Sequence, residues 1–268
     1  MEFFGLLGER LGHSLSAPIH HKVFDKLGWP GAYKLMEIPR EKFAQAGEAI
    51  RLLGVRGVNV TIPYKLEIMP QLDEVDAFAL QVGAVNTVHN RQGILYGYNT
   101  DVYGLMEMLR FHGLQVNGHC CVLGSGGAAR SACTALEALG AEKITVISRT
   151  PQKQDWGPRV TFKGYDDLAA MTGSLMINAT PVGMYPHTEA SPVTQEQMQG
   201  FQGFADLIYN PSQTQFTLLA KAMGRPWCTG LYMLVAQAVK AEEIWWETPI
   251  PASVTQAIYE EMRKELHL

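Results

Sequence analysis

The chain has 268 residues, 47% hydrophobic and 18% charged, enough to bury the cores of one large or two medium domains. A net charge of −4 leaves no basic footprint for nucleic acid, and no run of about 18 apolar residues offers a membrane span. The start, Met1-Glu-Phe-Phe, lacks a basic region followed by an apolar signal core, and the four cysteines (120, 121, 133 and 228) form no Cys-x-x-Cys pair. A cytoplasmic protein with buried thiols is expected, with neither a disulfide framework nor a zinc site.

Phe3-Phe-Gly-Leu-Leu7 reads as a short apolar strand leading into a polar loop. Ile19, Val23, Phe24 and Leu27 then share one helical face, with Gly28 as its stop. Ser16 stands just before this helix, and two readings are open: an N-cap, or a hydroxyl donated to a substrate anion. Residues 32–38 form the next strand, and Phe43, Ala46, Ile50 and Leu53 mark a second helix. Residues 55–61 form a strand ended by Pro63, which suits the first turn of a helix. Thr61 and Lys65 thus stand at the carboxyl end of a strand, where open α/β sheets place ligand chemistry. Residues 84–89 and 93–97 read as strands around an Asn90-Arg-Gln-Gly93 turn. Thr100 or Asp101 is expected to cap the next helix, whose stripe is Val102, Leu105, Met106 and Leu109.

His119-Cys-Cys-Val-Leu123 is a buried-strand pattern, and Ala129, Ala132, Cys133 and Leu136 recur at helical spacing behind it. Between them Gly124, Gly126 and Ala129 spell Gly-x-Gly-x-x-Ala in strand–turn–helix context, the signature of dinucleotide binding. Gly124 permits the sharp turn, Gly126 clears space for a pyrophosphate, and Ala129 allows close helix packing. The amides and dipole of the helix start face the phosphates. The strand at 143–148 ends without the Asp or Glu that would hold a ribose 2′-hydroxyl. It runs instead into Ser148-Arg149-Thr150, with Lys153 beyond. Arg149 offers a planar fork to a 2′-phosphate and Lys153 a point charge, which favours NADP over NAD.

Strands follow at 159–162 and 174–178, with a short helix at 166–171 between them. The second strand ends in the turn-rich Ala179-Thr180 segment. Residues 185–195 read as a mobile loop, 203–208 as a strand, 214–222 as a helix and 227–229 as a last strand. Gly230 opens a long helix with Leu231, Leu234, Val235, Ala238 and Trp245 on one stripe. A final helix carries Val254, Ala257, Ile258 and Met262, with Ser253 and Gln256 at capping-box spacing. The expected fold class is α/β in two domains. Residues 1–101, completed by 236–268, form a substrate-binding domain; 102–235 form a Rossmann-type NADP-binding domain. The C-terminal helices return to the first domain and leave a cleft.

A nicotinamide domain needs a partner that moves a proton while hydride moves. Lys65 and Asp101, both just after strands, are the candidates: a lysine as acid/base and a carboxylate to orient it. Each also has a plain structural reading, a solvated lysine and a helix cap.

The segments Gly12-His-Ser-Leu-Ser-Ala-Pro18, Asn59-Val-Thr-Ile-Pro-Tyr-Lys65, Gly83-Ala-Val-Asn-Thr87, Asn99-Thr-Asp101, Gly124-Ser-Gly-Gly-Ala-Ala129, Ile177-Asn-Ala-Thr180 and Leu234-Val-Ala-Gln-Ala238 together resemble the shikimate dehydrogenases, in the family's order and over nearly the whole chain. The resemblance implies NADP-dependent reduction of 3-dehydroshikimate to shikimate, on the route to chorismate and aromatic amino acids. It implies Lys65 as acid/base and Asp101 as its orienting partner. Ser14 and Ser16, assisted by Tyr209, match residues that hold the substrate carboxylate; Thr61, Asn86 and Gln237 match those on the ring hydroxyls. Gly124, Ser125, Gly126, Gly127, Ala128, Ser148, Arg149, Thr150, Lys153 and Thr180 match the NADP site, and Gly230 a residue beside the nicotinamide. The paired serines favour shikimate over quinate, since quinate-selective relatives tend to change one to threonine. Val102, Ser148, Thr229 and Tyr232 depart from the family's usual Gly, Asn, Asp and Gly, and Val102, Thr229 and Tyr232 are expected near the nicotinamide. Expected partners are small molecules, with no nucleic acid or membrane, in a monomer or homodimer. The alternatives are a quinate or dual-substrate enzyme, a catalytically silent ligand sensor, and a dehydrogenase of folate or acyl substrates.

Overall fold

Alternating apolar runs and amphipathic segments build two six-stranded sheets among the described residues, 1–12, 14–151 and 155–267, of a computed structural model. The chain divides into two compact units, Met1–Asp101 with Val235–Leu266, and Val102–Leu234 with the chain terminus.

In the first unit, β1 (Glu2–Gly8) leads to α1 (Ser16–Leu27), closed by Gly28 in the left-handed region at φ 66°. The helix begins at Ser16 itself and Leu15 is its cap residue, with no side-chain cap bond, so the capping role read for Ser16 is not its role. Then come β2 (Gly31–Glu37), α2 (Ala46–Leu52) and β3 (Gly57–Val60). Leu53, expected on the buried face of α2, lies past its end and is 73% exposed. No helix follows Pro63: residues 62–68 are a run of turns, in which the Tyr64 amide bonds the Thr61 carbonyl at 2.9 Å. β4 (Glu74–Val75) and α3 (Ala77–Val82), the latter capped by the Asp76 carboxylate, precede the hairpin of β5 (Thr87–Arg91) and β6 (Ile94–Tyr98). The sheet order is β2-β1-β3-β5-β6-β4, with β1, β2 and β3 parallel and β5 antiparallel to both its neighbours. Leu7 of β1 pairs with Met36 and Val60, so three carboxyl ends finish together. The loops carrying Ser14, Thr61 and Lys65 spring from these ends.

α4 (Thr100–Phe111) starts at Thr100, which puts both Thr100 and Asp101 inside its first turn instead of at a cap. The second unit then runs β7 (His119–Leu123), α5 (Gly127–Ala138), β8 (Lys143–Ile147), β9 (Val160–Lys163) and β10 (Gly173–Asn178). The segment Tyr165–Ala170 is a 3-10 helix. The short α6 (Gln195–Met198), β11 (Phe201–Asp206), α7 (Gln215–Ala222), β12 (Trp227–Thr229) and α8 (Leu231–Trp246) follow. All neighbours pair in parallel in the order β12-β11-β10-β7-β8-β9, a doubly wound sheet whose strand order reverses between β7 and β10. Both core faces of β7 are apolar and all four cysteines are free and buried, as expected.

α8 from Val235 onward and α9 (Ala252–Glu265) belong to the first unit. Lys22 and Lys26 of α1 pair with Glu261 and Glu265 of α9. Ser253 does not cap α9, because the helix already begins at Ala252 after Pro251. Trp245 of α8 stacks on Phe4 of β1 at 4.9 Å, and Gly57 gives it room: a Cβ there would lie 2.2 Å from the indole Nε1. Among the described residues, no helix is long and apolar enough to cross a membrane.

Candidate active site

Lys65 sits on the turns after β3, and Asp101 in the first turn of α4. Their side chains meet, Nζ donating to Asp101 Oδ2 at 2.6 Å, with side chains 26% and 21% exposed. The pair is accessible to a small molecule yet partly shielded from water. Asn86 Nδ2 donates to the other carboxylate oxygen at 2.9 Å and to Thr100 Oγ1 at 3.0 Å. The Thr100 amide returns a bond to Asn86 Oδ1 at 2.7 Å, which fixes the amide's orientation. Thr100 Oγ1 also lies 3.4 Å from Gln237 Oε1. The carboxylate is therefore anchored on one oxygen and presents the other to Lys65.

Ser14 and Ser16 flank the start of α1. The Ser14 hydroxyl donates to Ser16 Oγ at 3.1 Å, and the Ser16 amide donates to Ser14 Oγ at 3.2 Å. Glu37, at the end of β2, accepts from the Leu11 amide at 2.7 Å and ties this loop to the sheet. Thr61 is half-buried, with its amide bonded to Leu7 of β1. Ser14, Ser16, Thr61, Lys65, Asn86, Asp101 and Gln237 thus belong to one unit, whereas Tyr209 belongs to the other, on the loop after β11. Burial raises the Tyr209 phenol above its ordinary range.

In the second unit Gly124 ends β7 at φ 104°, and a Cβ on it would lie 3.1 Å from the Ala179 carbonyl oxygen and from Thr180 Cγ2. The turns after β7 and β10 meet there, at the point of strand reversal. Ser125, Gly126, Gly127 and Ala128 are exposed, and the space a Cβ would take on Gly126 or Gly127 is open. α5 starts at Gly127 with Gly126 as its cap, so no side-chain cap bond is made at its N-terminus. That cradle fits a diphosphate. Ser148 Oγ is buried without a partner among the described residues, and Arg149 and Thr150 beside it are exposed. A polar donor and a guanidinium at the end of β8 fit a phosphorylated ribose; Lys153 lies outside the described residues. Thr180 donates to Asn178 Oδ1 through both its amide (3.0 Å) and its hydroxyl (2.7 Å). Asn178 is held in turn by Asp206, which also takes bonds from Thr214 and the Ile208 amide. Gly230 must be glycine: a Cβ would lie 2.1 Å from the Leu207 carbonyl oxygen.

Val102 is fully buried, and Tyr232 is buried in a stack on Phe111 at 4.1 Å, so both serve packing. The sequence reading gave no site role to the polar groups bonded behind the pair, Asn59, Thr87 and Thr100, all buried. Their signal was present in Val58-Asn59-Val60, a lone amide inside an apolar strand.

Residues 6–88 match the family model of the shikimate dehydrogenase substrate binding domain. A shikimate dehydrogenase (NADP(+)) of Clostridium beijerinckii is 42% identical over 262 residues, covering 97% of each chain. A crystal structure of shikimate dehydrogenase 1 from Peptoclostridium difficile is 44% identical, with TM-score 0.89 and 99% of each chain covered. Shikimate 5-dehydrogenase from Thermus thermophilus, solved with NADP(H) and shikimate, is 34% identical with TM-score 0.88, covering 97% of this chain and 99% of that one. With this identity maintained along both units, the chain belongs to the shikimate dehydrogenase family.

Proposed function

We propose that the chain catalyses the reversible, NADP-dependent reduction of 3-dehydroshikimate to shikimate through Lys65 and Asp101. The observation that carries this reading is the 2.6 Å Lys65–Asp101 pair with Asn86 locked behind it. In the oxidative direction, Lys65 Nζ takes the proton of the reacting hydroxyl as the carbonyl forms; in the reductive direction it returns that proton to the oxygen. Asp101 aims the amine and offers an acceptor to the substrate. Bound NADP supplies the hydride donor or acceptor. Ser14 and Ser16, with Tyr209, hold the substrate carboxylate by their hydroxyls, and Thr61, Asn86 and Gln237 sort the ring hydroxyls. Gly124 to Ala128, Ser148, Arg149, Thr150, Lys153, Thr180 and Gly230 hold the coenzyme. The first unit is the substrate-binding domain and the second the NADP-binding domain.

The deciding experiment follows reduced-nicotinamide absorbance with shikimate or quinate and NADP⁺ or NAD⁺. Turnover of shikimate with NADP⁺ supports the reading; turnover of quinate alone, or of neither, overturns it. The Arg149→Ala variant is expected to raise KM for NADP⁺ about 10-fold, as for a lost charge-assisted phosphate contact, while the rate with NAD⁺ holds. Equal effects on both coenzymes would remove Arg149 from the 2′-phosphate. The buried thiols accord with a cytoplasmic setting, and the chain is taken to act as a monomer or homodimer on small molecules.

A further inference from the structure

Beneath the candidate site of the first unit runs a string of buried hydrogen bonds whose donors all point one way. The Tyr33 hydroxyl donates to Asn59 Oδ1 at 2.8 Å. Asn59 Nδ2 donates to Thr87 Oγ1 at 3.0 Å and to the Asn86 carbonyl at 3.3 Å. The Thr87 hydroxyl donates to Asn86 Oδ1 at 3.1 Å, and Asn86 Nδ2 donates to Asp101 Oδ1. The string ends on the carboxylate that receives Lys65. Tyr33, Asn59, Asn86 and Thr87 are each no more than 6% exposed, so water does not substitute for a missing member.

We infer that Tyr33 is a positioning residue for the reaction proposed above, its phenol hydroxyl setting the orientation of Asn59 and, through Thr87 and Asn86, the placement of Asp101 against Lys65. A carboxamide can turn over, exchanging its oxygen and nitrogen, and only its partners decide which way it faces. The phenol supplies the donor that keeps Asn59 Oδ1 toward β2. Without it Asn59 Oδ1 has no donor, and the amide is held only through Nδ2, by Thr87 and the Asn86 carbonyl. The loosened amide holds Thr87 less firmly, and the Thr87 proton can turn from Asn86 Oδ1 to the Thr100 hydroxyl at 3.1 Å, which leaves the Thr100 amide to hold Asn86 Oδ1. Successive donors of one sense also reinforce one another, so the first member affects the last.

The ring of Tyr33 is held for this purpose. It stacks on His20 of α1 at 4.0 Å and 10°. His20 Nδ1 lies 2.5 Å from Glu242 Oε1, with both side chains fully buried, and Glu242 Oε2 accepts from Trp246 Nε1 at 2.9 Å. The clamp therefore joins α1 and α8 across β2. Burial first, then the nearby Glu242 carboxylate, pushes the Tyr33 phenol well above its ordinary range, so it stays a donor at every working pH. The Ser16 hydroxyl bears on the same phenol, which links the string to the serine pair.

The Tyr33→Phe variant keeps the ring and its stack and deletes the donor. With shikimate and NADP⁺, kcat is expected to fall about 10-fold, with KM for both substrates within about 2-fold and the basic limb of the kcat–pH profile displaced. The Asn59→Ala variant should lower kcat similarly, and the double variant should lose no more than the worse single one. Multiplying losses, a rise in KM for shikimate with kcat intact, or an unchanged pH limb would each overturn the proposal. A second readout does not require turnover: the side-chain amide resonances of Asn86 should shift in Tyr33→Phe without substrate. Unmoved Asn86 resonances refute the string even in an active enzyme. An inactive wild type with shifted Asn86 refutes the assigned reaction and leaves the string standing.

Discussion

Lys65→Ala is expected to lower kcat for shikimate oxidation roughly 10²–10⁴-fold, with much smaller effects on KM for shikimate and NADP⁺. The reason lies in how its partner is held. Asp101 is anchored by Asn86 through one oxygen, so the carboxylate keeps its place when the amine is removed. Substrate hydroxyls still find acceptors, but no group remains at 2.6 Å from Asp101 to carry the proton. Lys65→Arg separates charge from proton transfer. Guanidinium pairs with Asp101 equally well but does not give up a proton at working pH. Its kcat should therefore fall nearly as far as that of Lys65→Ala. An arginine variant with near-normal kcat would reduce Lys65 to an electrostatic role, and near-normal turnover in the alanine variant would end its candidacy.

The backbone demand at Gly124 was legible in the sequence, because a glycine between an apolar strand and a helix reports a sharp turn directly. Gly124 adopts φ 104° against the turn after β10, whereas the close approach of Leu207 to Gly230 has no counterpart in the sequence pattern. Lys65 and Asp101 were legible as a lysine and its orienting carboxylate, and they meet at 2.6 Å, but the geometry of the meeting was not, since 36 positions separate them and the loops between define the approach. The polar string was illegible for a similar reason. Tyr33, Asn59 and Thr87 come from three strands, and only sheet pairing sets them side by side. β4 and α3 escaped notice because a two-residue strand and a six-residue helix carry too little periodicity. The one local signal there, Asp76 accepting from the Ala79 amide, is a cap that the pattern of apolar positions does not reveal. Helix starts misread at Ser16 and Ser253 share one cause. A serine near a helix start looks the same as cap or first-turn residue, and the backbone of Leu15 or Pro251 decides between them. Taking Ser16 out of the cap position leaves its hydroxyl uncommitted to the helix and engaged with Ser14 instead.

Stability is expected to respond to acid in opposite senses in the two units. His89 of β5 is buried, and burial first, then Arg91, lowers its pKa from 6.5 to about 4. Between those values the unfolded chain binds the proton and the folded chain does not, so this term is favourable above pH 6.5 and is lost as pH falls toward 4. Asp206 of β11 is raised from 3.8 to about 6 by burial, against the bonds from Thr214, Ile208 and Asn178; the Cys228 thiol is close enough to feel its charge. Here the folded chain holds the proton more tightly, so the term is favourable below pH 3.8 and is lost as pH rises through 6. Each shift corresponds to about 3 kcal/mol over its full window. Urea denaturation between pH 4 and 7.5 reads the two separately. His89→Gln should flatten the loss on the acid side. Asp206→Asn, whose amide can donate to Thr214 while its oxygen keeps the Ile208 amide, should make the wild-type decline toward pH 4 steeper by removing the opposing gain. The same pH slope in wild type and both variants would mean that neither group changes its proton affinity on folding. A steeper decline in Asp206→Asn together with lost NADP⁺ binding at neutral pH would identify the buried carboxylate, through Asn178 and Thr180, as part of what holds the coenzyme turn.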